Sequence, residues 1–327
     1  MEYQAYVVEE VEGNYSGQVK TLDTDQLPEG DVLIKVSHSS LNFKDALSNS
    51  GNKGVTRNFP HTPGIDAVGE VFEDASSTFA AGQTVVVVGY DLGMNTSGGF
   101  GEYIRVPKQW VLNLPSGMTP EQAMQWGTAG FTAALCIEKI LLQGTKPEDG
   151  PVLVTGATGG VGIVAVMLLS KLGFDVAALT GKPEAEEMLK AAGAKSVLLR
   201  DEFIDESPKP MLKPSFAAAV DVAGGKVLET VFKVLNYGGS VAACGLVNSP
   251  SLSTSVFPFI LRGINFLGVD SVELPLEVKQ RVWNKMGEEW SLPQLADACQ
   301  VIGKDDLSST LQQILKGGAK GRYVLKH

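Results

Sequence analysis

The sequence predicts an α/β protein in which a doubly wound parallel sheet is joined to a second, β-rich domain. After about residue 150, six short apolar runs alternate with helix-period runs, which is typical of parallel strands covered by helices. Before about residue 118, short apolar runs follow one another, with few helices and with turn signals such as Pro63-Gly64 between them. These two patterns predict two domains of different construction.

The elements follow from local patterns. Val32, Ile34 and Val36 alternate with Leu33, Lys35 and Ser37, as in a half-buried strand. Thr119 and Gln122 have the residue types of a helix N-cap and its capping-box partner. The predicted strands lie at 32–37, 68–72, 84–88, 103–106, 152–155, 176–179, 196–199, 217–222, 240–244, 264–269 and 323–326. The predicted helices lie at 119–142 (interrupted around 127–130), from the glycine turn to 173, and at 183–192, 226–236, 276–290 and 307–316.

The stretch from Pro151 to Lys182 predicts a strand, a glycine turn, a helix and a second strand. Gly156 allows a sharp turn, Gly162 allows close packing of the helix, and Gly159 and Gly160 allow phosphate oxygens to approach the backbone. The spacing has one residue more than the plain G-x-G-x-x-G pattern. Strands on both sides of the turn nevertheless favour dinucleotide binding over an ordinary turn.

The end of the second strand predicts which dinucleotide binds. NAD-dependent sites commonly place a carboxylate there for the ribose 2′-hydroxyl, whereas this chain has Thr180, Gly181 and Lys182. A hydroxyl, a free amide and an ammonium suit a 2′-phosphate, and a parallel sheet would bring Arg200 to the same edge. We therefore expect NADPH. The alternative is that Lys182 and Arg200 are ordinary solvated surface charges.

Composition narrows the class of protein. The chain has 327 residues, enough for two domains, and a formal net charge of -10, which argues against a nucleic-acid partner or an anionic membrane. The N-terminus lacks an apolar signal region and no apolar run is long enough to span a membrane, so we expect a cytoplasmic protein. The three cysteines are far apart in sequence and predict no disulfide framework.

A metal site is not expected. The three histidines, His38, His61 and His327, have no ligand spacing, and no Cys-x-x-Cys occurs. We expect His38 and His61 to be hydrogen-bonded structural residues. A dinucleotide fingerprint without a metal predicts hydride transfer as the reaction class.

Four motifs carry a family resemblance. They are Ser-Leu-Asn-Phe-Lys-Asp at 40–45, Pro-Gly-Ile-Asp-Ala-Val-Gly at 63–69, Gly-Thr-Ala-Gly-Phe-Thr-Ala at 127–133 and Val-Thr-Gly-Ala-Thr-Gly-Gly-Val-Gly at 154–162. In this order they resemble the zinc-free medium-chain dehydrogenases/reductases, and within them the acryloyl-CoA reductase branch (YhdH/AcuI-type, often labelled quinone oxidoreductases). The resemblance implies a GroES-like catalytic domain at 1–120 and 268–327, a Rossmann domain at 121–267, and an active site in the cleft between them.

The resemblance also implies residue roles. The pyrophosphate would be held by Gly159, Gly160, Val161 and Gly162, and the 2′-phosphate by Thr180, Gly181, Lys182 and Arg200. Relatives usually carry Arg where this chain has Lys182, which predicts weaker selectivity for NADPH. Further cofactor contacts, mostly to the nicotinamide half, would come from Phe43, Thr132, Leu246, Ile260, Ser271 and Arg322. Plain core packing is the alternative for Leu246 and Ile260.

The catalytic residues stay unassigned. Asn42, Phe43 and Asp45 are the candidates for the cleft, and Asn42 and Asp45 are equally explained as residues that fix this loop. Relatives often have Tyr at the position of Phe43, where it is a possible proton donor to the enolate carbon. Because Phe43 cannot donate, we expect it to pack on the nicotinamide, with the proton coming from water or another residue.

The expected reaction is NADPH-dependent reduction of the activated C=C of a short 2-enoyl thioester. Zinc alcohol dehydrogenases carry Gly-His-Glu where this chain has Gly64-Ile65-Asp66, so an alcohol or ketone oxygen would lack its usual Lewis acid. The alternatives are an NADPH:quinone or enone oxidoreductase and a non-catalytic NADPH-binding protein. The resemblance also predicts a homodimer in which the 264–269 strand pairs with its mate, unless that strand is an inner one.

Overall fold

The structure, a computed structural model, describes residues 1–327. The strands are β1 (Glu2–Val11), β2 (Asn14–Asp23), β3 (Val32–Ser40), β4 (Asp66–Asp74), β5 (Thr84–Val88), β6 (Tyr103–Val106), β7 (Val111–Asn113), β8 (Val152–Thr155), β9 (Val176–Thr180), β10 (Ser196–Leu199), β11 (Phe216–Asp221), β12 (Leu235–Ala243), β13 (Asn265–Gly268), β14 (Cys299–Ile302) and β15 (Arg322–Lys326). The helices are α1 (Phe43–Asn49), α2 (Pro120–Leu142), α3 (Gly160–Lys171), α4 (Glu186–Ala191), α5 (Arg200–Phe203), α6 (Gly225–Val234), α7 (Phe257–Leu261), α8 (Leu276–Gly287) and α9 (Leu307–Leu315). None of these helices combines the length and apolar character needed to cross a bilayer.

The chain divides into two compact units. Unit 1 comprises Met1–Thr128 and Ser271–His327, and unit 2 comprises Ala129–Asp270. The sequence placed the boundaries at 120 and 267 instead. The first boundary differs because α2 is not one continuous helix: Gly127, with φ 51° and ψ −161°, interrupts it, and the turns before Gly127 belong to unit 1.

Unit 2 contains the predicted doubly wound sheet. Its six strands pair in the order β10-β9-β8-β11-β12-β13, and every pair is parallel. The order reverses between β8 and β11, which makes their carboxyl ends the topological switch point. Strand β13 is an edge strand of this sheet, as expected for 264–269, and the alternative of an inner strand is wrong.

Unit 1 contains the predicted β-rich domain. Its main sheet has seven strands in the order β14-β15-β3-β4-β5-β7, with β6 pairing with β3, and β1 and β2 form a separate antiparallel hairpin. Alternate residues of its strands, such as Val32, Ile34, Val85 and Val87, are buried in one apolar cluster. The sequence did not predict β1 and β2, whose many polar residues obscure the period of two, or β7 and β14, which have only three and four residues.

Candidate functional site

The glycine turn of unit 2 has the expected geometry. Gly156, directly after β8, has φ +58°, a left-handed conformation that favours glycine. A Cβ on Gly162 would overlap the carbonyl oxygen of Gly156, so the turn and the start of α3 approach too closely for any side chain. The fold itself therefore requires glycine at both positions.

Gly159 differs from its neighbours, because the protein leaves room for a side chain there. The nearest atom to a Cβ on Gly159 would be the Gly156 carbonyl oxygen at 3.4 Å, an ordinary contact distance. Gly159 is also the N-cap of α3 and supplies no side-chain hydrogen bond to the first turn. The N–H groups of Gly160, Val161 and Gly162 at this helix start suit an anionic ligand. Residues 159–162 thus fit a pyrophosphate.

The edge next to this turn brings together the residues expected to hold a 2′-phosphate. Strands β9 and β10 pair in parallel with Leu199 opposite Thr180, so Arg200 follows at the same edge. A Cβ on Gly181 would lie 3.1 Å from Cζ of Arg200, so the guanidinium lies against this glycine. The backbone N–H of Lys182 donates to Oγ1 of Thr180 at 3.0 Å.

Arg200 is engaged only weakly by the protein. Its Nε donates to Oδ1 of Asp201 at 3.0 Å, but the two side chains are 46% and 82% exposed. Exposed pairs of this kind contribute about 0–1 kcal/mol, so a phosphate would displace Asp201 at little cost. Asp201 is a competitor that the sequence reasoning did not consider, although it is adjacent in the chain.

Unit 1 is organised around a buried carboxylate, Asp66, at the start of β4. Asp66 has no exposed surface and accepts hydrogen bonds from Ser40 Oγ, from Asn42 Nδ2 at 2.8 Å, and from both the hydroxyl and the N–H of Thr128, the latter at 2.8 Å. We call Asp66, Ser40, Asn42 and Thr128 the Asp66 cluster. Ser40, Asn42 and Thr128 all donate to Asp66, so both oxygens of the buried carboxylate have hydrogen-bond partners.

The Asp66 cluster explains the interruption of α2. A Cβ on Gly127 would overlap Ser40 Oγ and would lie 2.7 Å from Oδ2 of Asp66 and 2.8 Å from Nη2 of Arg322. Only glycine fits there, and its left-handed φ ends the first part of the helix. The carboxylate of Asp66 then receives the N–H of Thr128, which starts the second part.

Asp45 ties helix α1 to the loop before β4. Its carboxylate accepts the N–H groups of Asn42 at 2.7 Å, Gly64 at 3.1 Å and Ile65 at 2.9 Å. Burial, followed by the charge of Asp66, raises the pKa of Asp45 to about 7, and the three N–H donors oppose that rise. With its oxygens occupied, Asp45 fixes the start of α1, which carries Phe43.

Arg322 is enclosed by unit 1. Its side chain is 2% exposed, its Nε donates to the carbonyl oxygen of Gln125 at 3.0 Å and its Nη1 donates to that of Leu41 at 3.4 Å. Burial lowers the pKa of Arg322, while the charges of Asp66 and Asp45 raise it. The guanidinium therefore holds unit 1 together, and a cofactor contact by Arg322 remains a prediction.

The other expected nicotinamide contacts are distributed over both units. In unit 2, Leu246 is 61% exposed and Ile260 is 71% exposed, so the alternative of core packing is wrong for both. Phe43 in unit 1 is 41% exposed and begins α1. Thr132 and Ser271 are buried, at 6% and 8% exposure. Exposed apolar side chains such as Leu246 and Ile260 are available to a ligand or a partner.

Sequence reasoning missed a second polar pair. At the switch point of the sheet, Thr155 Oγ1 donates to Oδ1 of the buried Asp221 at 2.7 Å, and Oδ2 accepts the N–H of Gly224 at 2.9 Å. Burial raises the pKa of Asp221. A carboxylate at the end of a predicted inner strand was the available signal. The pair shapes the loop after β11.

The histidines are in hydrogen-bonded structural settings. His61 Nε2 lies 2.9 Å from the carbonyl oxygen of Gly93, and His38 Nδ1 lies 3.1 Å from Ser37 Oγ. No three His, Cys, Asp or Glu side chains are grouped in a way that could hold a metal ion. The three cysteines are free thiols.

This combination of a glycine-turn parallel-sheet unit and a β-rich unit defines a dinucleotide-binding dehydrogenase or reductase. The family model described as the alcohol dehydrogenase GroES-like domain matches residues 28–116, and the model described as zinc-binding dehydrogenase matches residues 160–288. Together with the relatives below, these matches show that the chain belongs to the medium-chain dehydrogenase/reductase family.

Three relatives are similar over their full length. The acrylyl-CoA reductase AcuI of Ruegeria pomeroyi is 38% identical over 99% of this chain and 98% of its own. YhdH oxidoreductase of Salmonella enterica, solved in complex with NADP, is 42% identical with a TM-score of 0.96 over 99% of both chains. Bacillus subtilis YhfP, provisionally named a quinone oxidoreductase, is 40% identical over 99% of this chain and 98% of its own. Its structure with NAD bound has a TM-score of 0.96 over 100% of both chains.

Proposed function

We propose that the protein is an NADPH-dependent reductase that saturates the activated C=C of a short 2-enoyl thioester, converting acryloyl-CoA to propanoyl-CoA. The observation that carries the cofactor is the sheet edge that brings together Thr180, Lys182 and the exposed Arg200, beside an uncapped helix start. The substrate class follows from the full-length similarity to an acrylyl-CoA reductase. The absence of a carboxylate at residues 180–182 further supports NADPH over NADH.

The chain's own residues would bind and orient the cofactor. Residues 159–162 would receive the pyrophosphate on backbone N–H groups, and the Arg200 guanidinium would bind two oxygens of the 2′-phosphate. When bound, NADPH supplies a hydride from its dihydronicotinamide ring. Lys182 would contribute a point charge without the planar fork of Arg, so discrimination against NADH would rest mainly on Arg200.

The chemistry balances without a metal ligand at position 65. Addition of hydride to the β-carbon moves the electron pair of the C=C onto the thioester oxygen, and a proton then adds to the α-carbon. Ile65 offers no donor atom to a metal, which disfavours the interconversion of an alcohol and a ketone and favours an alkene whose own carbonyl accepts the charge. Asp45 and Asp66 are saturated with donors in the structure, so neither is our candidate for the proton donor.

We further propose a homodimer formed through β13. This strand lies at the edge of the six-stranded sheet, and its Phe266 is 47% exposed. An unpaired apolar edge is readily extended by the same strand of a second copy. Light scattering of the purified protein tests this directly, with a monomer mass as the contradicting result. A cytoplasmic location remains a prediction.

The test of the reaction is NADPH oxidation, followed by absorbance, with acryloyl-CoA, crotonyl-CoA and a small quinone in parallel, and with NADH in place of NADPH. We expect acryloyl-CoA with NADPH to give the highest kcat/KM. Turnover of the quinone alone would support the quinone reductase that the provisional name of YhfP favours. NADPH binding with no turnover of any acceptor would leave a non-catalytic binding protein.

Variants of the 2′-phosphate edge test the cofactor. Arg200→Gln should raise the KM for NADPH by about tenfold or more and leave the KM for NADH nearly unchanged, because a charge-assisted bidentate contact is lost. Lys195→Gln is the matched control, since Lys195 is another exposed cation of unit 2 that pairs with an aspartate, Asp175, at 3.0 Å. An equal effect of the two variants on NADPH would contradict the proposed role of Arg200.

A further inference from the structure

Lys279 on α8 is an unusual residue of unit 1, because its whole side chain is buried. Its ammonium donates hydrogen bonds to the carbonyl oxygens of Val88, at 2.9 Å, and Val272, at 2.8 Å. The same Nζ lies 3.4 Å from the centre of the Tyr90 ring, in a cation–π contact. An ammonium is stable in such a place only because these groups replace its water.

Tyr90 is held in a conformation that few residues adopt. Its φ is 52°, a left-handed value that is unfavourable for a side chain with a Cβ. Its N–H donates to the carbonyl oxygen of Val272 at 3.3 Å, and its hydroxyl donates to that of Leu274 at 3.0 Å. The ring is also stacked on Trp110, with centres 5.6 Å apart and 11° between the planes. The surroundings thus stabilise the strained backbone.

These contacts converge on one short stretch of chain, Ser271 to Leu274, which we call the 271–274 segment. Lys279 and Tyr90 together make three hydrogen bonds to it, two to the carbonyl oxygen of Val272 and one to that of Leu274. The segment forms no helix or strand of its own. These contacts therefore help to fix its position, which secondary structure does not.

We propose that Lys279 and Tyr90 are positioning residues that hold the 271–274 segment, and with it Ser271, in place for the nicotinamide half of NADPH. This inference rests on the proposed function, which assigns Ser271 to the nicotinamide. Because Ser271 directly precedes Val272 in the chain, a shift of the Val272 carbonyl moves the Ser271 hydroxyl as well. Ser271 is buried, with 8% of its surface exposed. Lys279 and Tyr90 act on the cofactor only through this segment.

The experiment compares two ligands with each variant. NADPH contains the nicotinamide, whereas 2′,5′-ADP contains only the half expected at Thr180, Lys182 and Arg200 in unit 2. Lys279→Met removes the donors and keeps an unbranched apolar side chain, and Tyr90→Phe removes only the hydroxyl that binds Leu274. Lys285→Met is the control, since Lys285 lies on the same helix and pairs with Glu289 at 3.4 Å. Dissociation constants are measured by calorimetry.

We expect Lys279→Met to raise the Kd of NADPH about tenfold and Tyr90→Phe to raise it about threefold, the scale of one lost hydrogen bond. The Kd of 2′,5′-ADP should be unchanged in both, as should both constants in Lys285→Met. If Lys279→Met fails to fold, Tyr90→Phe alone decides the matter.

Two results would overturn the proposal. An equal loss of affinity for both ligands would mean that the residues only support the fold, and unchanged NADPH affinity in a folded variant would mean that the segment does not contact the cofactor. Failure of the wild-type protein to bind NADPH would instead refute the proposed function, and this inference with it. Binding by the wild type separates the two failures.

Discussion

Replacing Thr128 by Val tests whether the Asp66 cluster stabilises unit 1. Val has nearly the same shape as Thr but lacks the hydroxyl that donates to Oδ1 of Asp66, while the N–H bond of residue 128 to Oδ2 is retained. Leaving a buried hydrogen-bonding group without its partner costs about 1–3 kcal/mol, and Asp66 has no exposure to water that could replace the lost donor. We therefore expect a loss of about 2 kcal/mol in the free energy of unfolding.

Tryptophan fluorescence during urea unfolding measures the loss of stability in unit 1. All four tryptophans, Trp110, Trp126, Trp283 and Trp290, lie in unit 1, so their emission reports on the unfolding of that unit. Thr128→Ser is the matched control, because it keeps the hydroxyl, and it should lose less than half as much. Equal stability of the Val variant and the wild type would refute the conclusion that the Asp66 cluster stabilises unit 1.

Three more predictions concern other parts of the chain. Gly162→Ala should lower the melting temperature, because its Cβ overlaps the Gly156 carbonyl, whereas Gly159→Ala should melt like the wild type yet lose NADPH affinity. Circular dichroism measures the melting and calorimetry the affinity. Equal melting temperatures of the two variants would contradict the different roles of these glycines. Burial lowers the pKa of His327 to about 4, so on acidification the unfolded imidazole gains a proton near pH 6.5 while the folded one stays neutral. The contribution of His327 to the free energy of unfolding should therefore be complete above pH 6.5 and fall by about 3 kcal/mol towards pH 4. His327→Gln should flatten this decline in urea titrations at several pH values, and an unchanged slope would exclude His327 as its cause. Phe43→Tyr should speed the chemical step in single-turnover kinetics if a proton donor is missing there, and an unchanged rate would remove that hypothesis.

The sequence was sufficient for the features that depend on neighbouring residues in the chain. The turn at residues 156–162 was predictable because β8, the glycines and α3 are contiguous, and strand β10 has its predicted bounds because its apolar run is short and flanked by polar residues. The meeting of Thr180 and Arg200 was predictable too, since parallel strands place their carboxyl ends at one edge. The confirmed fold class follows from the same alternation of elements.

Only the tertiary structure decided which residues from distant segments of the chain bind each other. Asp66 and Thr128 are 62 residues apart, and their hydrogen bonds determine where α2 is interrupted and hence where unit 1 ends. Arg322 and Gln125 are 197 residues apart, and only the tertiary structure shows that the buried guanidinium donates to the Gln125 carbonyl oxygen; its predicted cofactor contact stays a prediction. A carboxylate or a guanidinium in a sequence has no fixed role, because the donors, acceptors and solvent around it are supplied by residues far away in the chain.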